Sequence, residues 1–494
     1  MKIVPALLLL ATSAVAPASE PAPENITFSE HVAPILFAKC AMCHRPGEIA
    51  PFPLLTYADA KKRAKQLAEI TTERTMPPWH ADRDNPHFQN DRSLDEKQIA
   101  LLAAWHRAGA PEGDPAKLPA PPKFTEGWAM GVPDLEVKMP EAYGISAEGR
   151  DEYRNFVLPL NFDEDKWISA IELRPSATSV IHHVLIFLDT DGSAAKRAGR
   201  DGKPGYRGFV SLGQTYVAGW APGAGPLVLP KDLAWRFPKG ASLVLQTHIS
   251  PNGKPANEAT SIGLRFAKEA PPHTYTTIQI PPQFGILNGV QIPPGEKEYT
   301  IRDSFTLPID CDAFAVAAHA HHLGKRMTMT ATLPDGRVQN LLKVTDWDFA
   351  WQEQYLYRER IALPKGTRLD SVVVWDNSAE NPRNPSKPPV PVGWGVASAD
   401  EMGSVTVGVV PRKNEDIEVL RTALTEHIAD VIIDATQRQL VLPEGLGKRL
   451  EPVAAILNGF DKNADGVLDN EERAPIRGLI QLSGFPRQML NASP

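Results

Sequence analysis

The chain has 494 residues, a formal net charge of −7 at pH 7 and 42% hydrophobic residues. This length is too great for one ordinary core and predicts roughly three domains, and the acidic balance disfavours a nucleic-acid partner. The 47 prolines favour loops and sheet edges over long helices.

Residues 1–18 predict a secretory signal peptide. Lys2 supplies a short positive region, an apolar run follows, and small residues offer a cleavage site near Ala16 or Ala18. The run is too short to span a bilayer, and no later stretch is long enough. We therefore expect a periplasmic or secreted protein without a membrane span.

The segment AKCAMCHRPG contains Cys40, Cys43 and His44 in a C-x-x-C-H pattern, the attachment signature of a c-type haem. Each thiol can form a thioether to the porphyrin, and the adjacent imidazole can bind the iron. The cysteines could instead form a redox dithiol or half of a zinc site, but the predicted export, the adjacent histidine and the lack of a second C-x-x-C favour haem. The remaining cysteine is Cys311, so we expect no disulfides.

Residues 25–111 carry helical patterns on both sides of this motif and predict a cytochrome c-like domain. Its closing helix should have Ser93 as N-cap and Glu96 in a capping box, and should stop at Gly109. The Pro-rich stretch 112–140 then predicts a stiff, extended linker.

The segment RTMPPWHAD offers a sixth haem ligand. Met76 lies on a loop held by Pro77 and Pro78, and a thioether ligand would raise the haem potential. His80 and His87 are the competing candidates. We favour Met76 because the two prolines hold its loop in place.

From about residue 141 the texture changes to short runs of Val, Ile, Leu and Thr separated by Pro, Gly and Asn, which is typical of strands. The length of this region predicts two consecutive antiparallel β-sandwiches, over 141–270 and 271–412. Residues 413–494 become helical again. The predicted fold class is multidomain: an α-helical cytochrome c domain, two antiparallel β-sandwiches and a small α-helical, EF-hand-type tail.

Histidines cluster on the predicted strands. SVIHHVLIFL carries His182 and His183, ASLVLQTHIS carries His248, and AFAVAAHAHHL carries His319 and His321. A single strand histidine is usually a core or surface residue, but an H-H pair and an H-x-H on apolar strands weaken that explanation. Imidazole sets of this kind suit copper or zinc.

Strand geometry adds two expectations. His319 and His321 are two residues apart and should face the same side, whereas His322 should point away. His182 and His183 are adjacent and would face opposite sides of a regular strand. If both bind one metal, the strand must bulge or end there.

This region, about residues 150–410, resembles the copper type II, ascorbate-dependent monooxygenases, the family of peptidylglycine α-hydroxylating monooxygenase and dopamine β-monooxygenase. HHVLIF resembles its His-His motif, LQTHIS its third-histidine segment, AHAHHLGK its H-x-H-H-L-G-K motif and SADEMGS its methionine segment. The resemblance implies an electron-transfer copper, CuH, and a catalytic copper, CuM. The implied ligands are His182, His183 and His248 for CuH, and His319, His321 and Met402 for CuM.

The resemblance implies a reaction of O2 with a C–H bond of an organic substrate. This hydroxylation consumes two electrons and two protons, and two coppers can store both electrons beforehand. The soft thioether of Met402 favours Cu(I). The electron donor would be ascorbate or a redox protein, with the haem supplying or relaying the electrons.

Three positions depart from the peptide-hydroxylating members. Their substrate-anchoring Arg, two residues before the first CuM histidine, is Ala317 here, and an Asn and a Tyr after the methionine are Ser404 and Thr406. The family's disulfides are absent as well, although Gln246 matches a Gln near CuH. We therefore do not expect a peptidylglycine substrate.

The segment DKNADGVLDNEE predicts a calcium-binding EF-hand loop between amphipathic segments. Gly466 allows the sharp turn. The alternative is an acidic surface turn, but the full pattern favours calcium in a structural role. The predicted ligands are Asp461, Asn463, Asp465, Val467 through its carbonyl, Asp469 and Glu472.

The sequence therefore predicts an exported copper monooxygenase that carries its own haem, two copper ions and calcium. The alternative is a haem and copper electron-transfer protein without a substrate of its own. A calcium-dependent surface-binding module would explain only the tail.

Overall fold

A computed structural model describes residues 25–48, 50–89, 91–124, 127–208, 214–457 and 459–484. The predicted signal peptide lies outside these ranges. The described chain divides into two compact units. The helical unit comprises the residues up to Pro78 together with Arg92–Pro122, and the β-rich unit comprises Trp79–Asp91 and the chain from Lys123 onward.

The helical unit has a π-helical first turn, Phe28–Val32, and four α-helices around one core. Phe28 and Trp105, both nearly inaccessible, bring the first and last helices together with ring centroids 6.2 Å apart. The helices are α1 (Ala33–Lys39), α2 (Tyr57–Lys62), α3 (Ala64–Thr72) and α4 (Glu96–Arg107).

The predicted Ser93 cap of the last helix is wrong. Asp95 caps α4 instead: its carboxylate accepts from Gln98 N at 2.7 Å, and the Gln98 amide oxygen accepts from Asp95 N at 3.0 Å. This register puts Leu94 before the cap and Ile99 at the fourth helical position, where apolar residues stabilise a helix start. Both side chains are buried in the same core, which favours Asp95 over Ser93.

The predicted linker 112–140 is shorter in the structure. Ser29 N donates to Glu112 O, and Lys117 pairs with Glu30 at 2.8 Å, so its first residues belong to the helical unit. Its last residues form a strand, so the β region begins before residue 141.

The β region is antiparallel throughout its paired strands and falls into two halves. Within the described residues, strands up to Phe266 pair among themselves, and so do strands from Thr276 onward. This arrangement agrees with a chain rich in β-sandwiches. The first half contains β1 (Leu135–Lys138), β2 (Tyr143–Ile145), β3 (Glu152–Pro159), β4 (Lys166–Arg174), β5 (Ile181–Asp189), β6 (Tyr206–Arg207), β7 (Thr215–Trp220), β8 (Leu227–Val228), β9 (Trp235–Phe237), β10 (Ser242–Ile249), β11 (Ala256–Glu258) and β12 (Ser261–Phe266).

Two sheets of the first half share one core. One has the order β1-β12-β4-β8, with β9 also on β4, and the other has the order β6-β3-β10-β5-β7. Ile168 and Leu264 from the former pack in the same cluster as Phe156 and Leu243 from the latter. In the second of these strand orders, β10 and β5 are neighbours away from the sheet edges.

The second half repeats this plan with sheets β13-β22-β16-β19 and β15-β20-β17-β18. β22 is buried along its whole length, as its run of valines requires of a central strand. The strands are β13 (Thr276–Ile280), β14 (Gln291–Ile292), β15 (Tyr299–Thr306), β16 (Cys311–Ala320), β17 (Gly324–Thr332), β18 (Val338–Val344), β19 (Gln354–Leu363), β20 (Arg368–Trp375), β21 (Val392–Gly393) and β22 (Gly403–Pro411).

The segment Trp79–Asp91, predicted to belong to the haem domain, packs on the second β half. Asp82 N donates to Lys343 O at 2.9 Å, Gln89 N donates to Leu356 O at 2.7 Å, and Phe88 stacks on Tyr357. These backbone hydrogen bonds attach the segment to β18 and β19.

The tail contains α5 (Ile417–Gln437), α6 (Glu444–Leu457) and α7 (Asn470–Leu482). Arg473 and Arg477 on α7 pair with Asp434 and Asp430 on α5, each at 2.7 Å. No helix among the described residues is long and apolar enough to cross a membrane.

Candidate metal centres and cavity

His182, His183 and His248, here called the three-histidine cluster, lie where β5 and β10 pair. His248 faces His183 in the ladder, but the next residue, Ile249, faces Ile181, so His182 is the extra residue of a bulge. The bulge turns two adjacent side chains to one place. One ligand atom of each histidine lies within 4.8 Å of the others, so the three side chains could hold one metal ion.

The hydrogen bonds of this cluster leave nitrogen atoms free for a metal. His248 Nε2 lies 2.9 Å from Asp151 Oδ2, while His248 Nδ1 is buried without a partner. A metal-ligating histidine normally hydrogen-bonds a carboxylate or carbonyl through its other ring nitrogen, as His248 Nε2 does here. The Nδ1 atoms of His182 and His183 are 3.2 Å apart.

Burial favours the neutral imidazoles that metals need. Desolvation, followed by the charge of His248, lowers the pKa of His182 to about 4 and holds the pKa of His183 well below its usual range. The hydrogen bond to His248 lowers the pKa of Asp151 to about 2, so this carboxylate remains charged.

His319, His321 and Met402, here called the Met402 site, lie at the ends of β16 and β22. The last ladder pair is Ala320 with Gly403. His321, after Ala320, and Met402, before Gly403, therefore lie directly beyond this pair on the two strands. The rings of His319 and His321 are 5.3 Å apart, and the sulfur-bearing side chain of Met402 is buried. The strand pair thus brings these residues to one edge of the sheet.

The histidines of the Met402 site are also held through one nitrogen each. His319 Nδ1 lies 2.6 Å from Gln352 Oε1, and His321 Nδ1 lies 3.0 Å from the carbonyl oxygen of Asp400. Both Nε2 atoms are therefore the natural metal-binding atoms. Burial lowers the pKa of His319 to about 4.

Glu401 fastens the two strand ends of this site together. Its fully buried carboxylate accepts from His321 N at 2.9 Å, Leu323 N at 2.6 Å and Trp375 Nε1 at 2.9 Å. Burial raises the pKa of Glu401 to about 8, while its N–H donors favour the charged form. Glu401 therefore fixes His321 and its own neighbour Met402.

Phe349 lies between the two histidine sets. Its ring centroid is 4.7 Å from that of His182 and 5.2 Å from that of His321. His322, predicted to point away from the pair, also contacts this ring at 4.8 Å. One aromatic side chain thus contacts both the three-histidine cluster and the Met402 site.

A cavity of about 130 Å³ opens beside the Met402 site. Both His183 and His319 line it. Ala317 and Thr406, two of the three positions that depart from the peptide-hydroxylating pattern, face each other across β16 and β22 and also line the cavity. The third position, Ser404, pairs with His319 in the same ladder.

The C-x-x-C-H motif lies directly after α1. His44 Nδ1 is 3.0 Å from Phe52 O, which leaves Nε2 for an iron atom. Burial raises the pKa of the Cys40 thiol to about 12, whereas reactive dithiols have a lowered pKa.

Among the three candidate sixth ligands, Met76 belongs to the helical unit with His44, whereas His80 and His87 belong to the β-rich unit. The His80 ring lies 6.0 Å from that of Trp347, and His87 O accepts from Arg358 N at 2.8 Å.

The loop between α6 and α7 has a turn suited to a cation. Asp461 Oδ2 accepts from Gly466 N at 2.9 Å, and Asp461 Oδ1 is buried without a partner. Gly466 has φ +81°, which requires glycine at this point. Glu472 accepts from Lys462 N and Asp469 N, so its carboxylate spans the loop. The remaining predicted ligands lie along it: Asn463, Asp465 and Val467.

Sequence reasoning did not find four residues that shape these sites. Glu401 lies next to Met402 in SADEMGS, so an acid beside a predicted ligand was an available signal. The others are distant from the motifs in sequence and carry no local signal: Asp151, Phe349 and Gln352.

No family model matches the chain, and a search of curated proteins finds no significant match. Among solved structures, the matches have low similarity. A peptide-N(4)-(N-acetyl-β-D-glucosaminyl)asparagine amidase has a TM-score of 0.27 and 9% identity over 56% of this chain and 96% of its own. The broad bean stain virus structure has a TM-score of 0.25 and 10% identity over 61% and 94%, and the major capsid protein P2 of bacteriophage PM2 has a TM-score of 0.21 and 12% identity over 53% and 97%.

Proposed function

We propose that this protein is an exported copper monooxygenase that hydroxylates a C–H bond of an organic substrate with O2. The observation that carries the proposal is the arrangement around Phe349. His182 and His321, one from each set, contact this one ring, and a mainly apolar cavity is lined by another histidine of each set, His183 and His319. The buried thioether of Met402 adds the soft ligand that favours Cu(I).

His182, His183 and His248 would hold one copper, and His319, His321 and Met402 the other. Copper bound at these ligands would supply one-electron redox steps and the activation of O2. Asp151 and Glu401 orient the imidazoles, and the apolar cavity wall excludes water. In the balanced reaction, one oxygen atom enters the C–H bond and the other leaves as water with two protons and two electrons.

The electrons would come from ascorbate or a redox protein through a c-type haem. Cys40, Cys43, His44 and Met76 would hold the haem, which would supply one-electron transfer when bound. Covalent attachment predicts that the haem stays with the protein after acid–acetone extraction.

Calcium would have a structural role in the tail. Asp461 offers an unpartnered buried oxygen, and Glu472 offers the carboxylate at the end of the loop. The predicted signal peptide and the predicted haem attachment are consistent with a periplasmic or secreted location.

The alternative is a haem and copper electron-transfer protein without its own substrate. The three-histidine cluster and the haem motif would serve that function equally well. A cavity beside a thioether-containing site is not needed for electron transfer alone, and this favours the monooxygenase.

The deciding experiment measures O2 uptake by the full-length protein loaded with copper and haem, against a panel of organic substrates under ¹⁸O2. The proposal predicts an alcohol with one ¹⁸O atom for each O2 consumed with two electrons. If the loaded protein exchanges electrons with donors but yields no oxygenated product with any substrate, the electron-transfer alternative is correct.

A further inference from the structure

The cavity beside His319 is lined mainly by apolar and aromatic side chains. Tyr275 and Phe314 meet edge to face in its wall with centroids 5.2 Å apart, and Phe284 lies against the His319 ring at 4.9 Å. Exposed Gln354 is also part of the lining, so the cavity reaches the surface.

The backbone is strained where it presents Phe284. Gln283 and Phe284 have φ of 49° and 54°, in the left-handed region that non-glycine residues rarely adopt. Such a conformation is unfavourable and persists where the surrounding structure demands it, often at a ligand site. Here the turn holds an aromatic ring against His319 in the cavity lining.

Charge is nearly absent from the lining. Glu353 is its one carboxylate, and no Lys or Arg of the described chain lines the cavity. A substrate carboxylate or phosphate would therefore find no cationic side chain in the cavity wall, and burying an unpaired charge is costly. Neutral polar partners are available at Thr277, Gln354 and Thr406.

The cavity volume indicates the size of the group that can bind inside it. An engineered apolar cavity of roughly 150 Å³ binds benzene, and this cavity measures about 130 Å³. A single six-membered ring or a compact branched alkyl group fits this volume.

We propose that the substrate is an uncharged molecule with a compact hydrocarbon group, of the size of one six-membered ring, that enters this cavity beside His319. This inference rests on the proposed function, because it assigns the substrate class of the same site. It predicts discrimination by charge as well as by size.

The test measures binding of fluorobenzene and of 4-fluorobenzoate to the full-length protein by ¹⁹F NMR, with and without copper. Fluorobenzene should bind, and 4-fluorobenzoate at pH 7 should bind at least tenfold more weakly. Ala317→Leu should fill the cavity and weaken fluorobenzene binding at least tenfold. The matched control is Ala362→Leu, at an exposed alanine of neighbouring β19 outside the cavity, and it should leave binding unchanged.

Thr277→Leu, at a half-buried cavity position, provides a second filling variant if Ala317→Leu does not fold. The inference is overturned if 4-fluorobenzoate binds as tightly as fluorobenzene, or if a folded filling variant binds fluorobenzene like the wild type. Oxygenation of a charged substrate only would refute this substrate class while the proposed function survives. Cavity-specific fluorobenzene binding without any oxygenation would refute the proposed function and leave the cavity's ligand preference established.

Discussion

The three-histidine cluster and the Met402 site are built in different ways. The first comes from the pairing of β5 and β10, where a bulge at His182 turns adjacent histidines together. The second lies beyond the last ladder pair of β16 and β22, where the carboxylate of Glu401 holds the strand ends. The sheet sets the geometry of the first site, whereas one buried side chain sets much of the geometry of the second.

Removing a ligand from either site should have the largest effect. His248→Ala and His319→Ala should each lower the copper content of the purified protein from two ions to one, because the ligand sets share no residue. Elemental analysis measures this directly. His273→Ala, at a histidine outside both sites, should retain both ions. Loss of both ions in one ligand variant would mean that the sites do not bind independently.

Replacing either orienting carboxylate should lower copper affinity at one site only. Glu401→Gln places an amide where several N–H donors converge, so it should weaken copper at the Met402 site by about 10–100-fold and destabilise the fold by about 1–3 kcal/mol. Asp151→Asn should weaken copper binding at the three-histidine cluster and leave copper binding at the Met402 site unchanged. Competitive copper titration distinguishes the sites in each variant. An effect of Glu401→Gln confined to the three-histidine cluster would contradict the role given to Glu401.

Electron entry should differ between the sites. If the haem feeds the three-histidine cluster, His248→Ala should leave the haem reducible but slow its reoxidation by O2 and substrate. Stopped-flow absorbance of the haem follows this rate. Equal reoxidation rates in the wild type and His248→Ala would show that the haem serves another acceptor.

Loss of calcium should change copper binding little at either the three-histidine cluster or the Met402 site. Glu472→Gln removes the charge of the proposed carboxylate ligand and should weaken calcium binding at least tenfold, while both copper ions remain. Calcium titration and copper analysis of the same sample provide the two readouts. Loss of copper in this variant would show that the tail and the copper sites are coupled.

The sequence predicted features that depend on local patterns. Short runs of Val, Ile, Leu and Thr between turn residues predicted the strands. A bulge was expected if the adjacent His182 and His183 bind one metal, and the structure contains a bulge there. The spacing of His319 and His321 placed their side chains together. These predictions succeed because residues close in the chain have few available geometries.

Features that depend on distant partners were missed. Phe349 lies in a loop remote from every histidine motif, and its position between the two sites follows from tertiary packing alone. Trp79–Asp91 was assigned to the haem domain by continuity, but its backbone pairs with β18 and β19. Ser93 with Glu96 and Asp95 with Gln98 both match the capping-box pattern locally, and only the tertiary burial of Leu94 and Ile99 favours Asp95.

The central claim is that one chain holds two copper ions on either side of Phe349. Copper titration of the full-length protein, followed by pulsed EPR of the oxidised form, tests it most directly. The account predicts two Cu(II) ions per chain with a dipolar coupling between them, because His182 and His321 contact the same ring. A single copper, zinc alone under copper-replete conditions, or two Cu(II) ions without measurable coupling would contradict it.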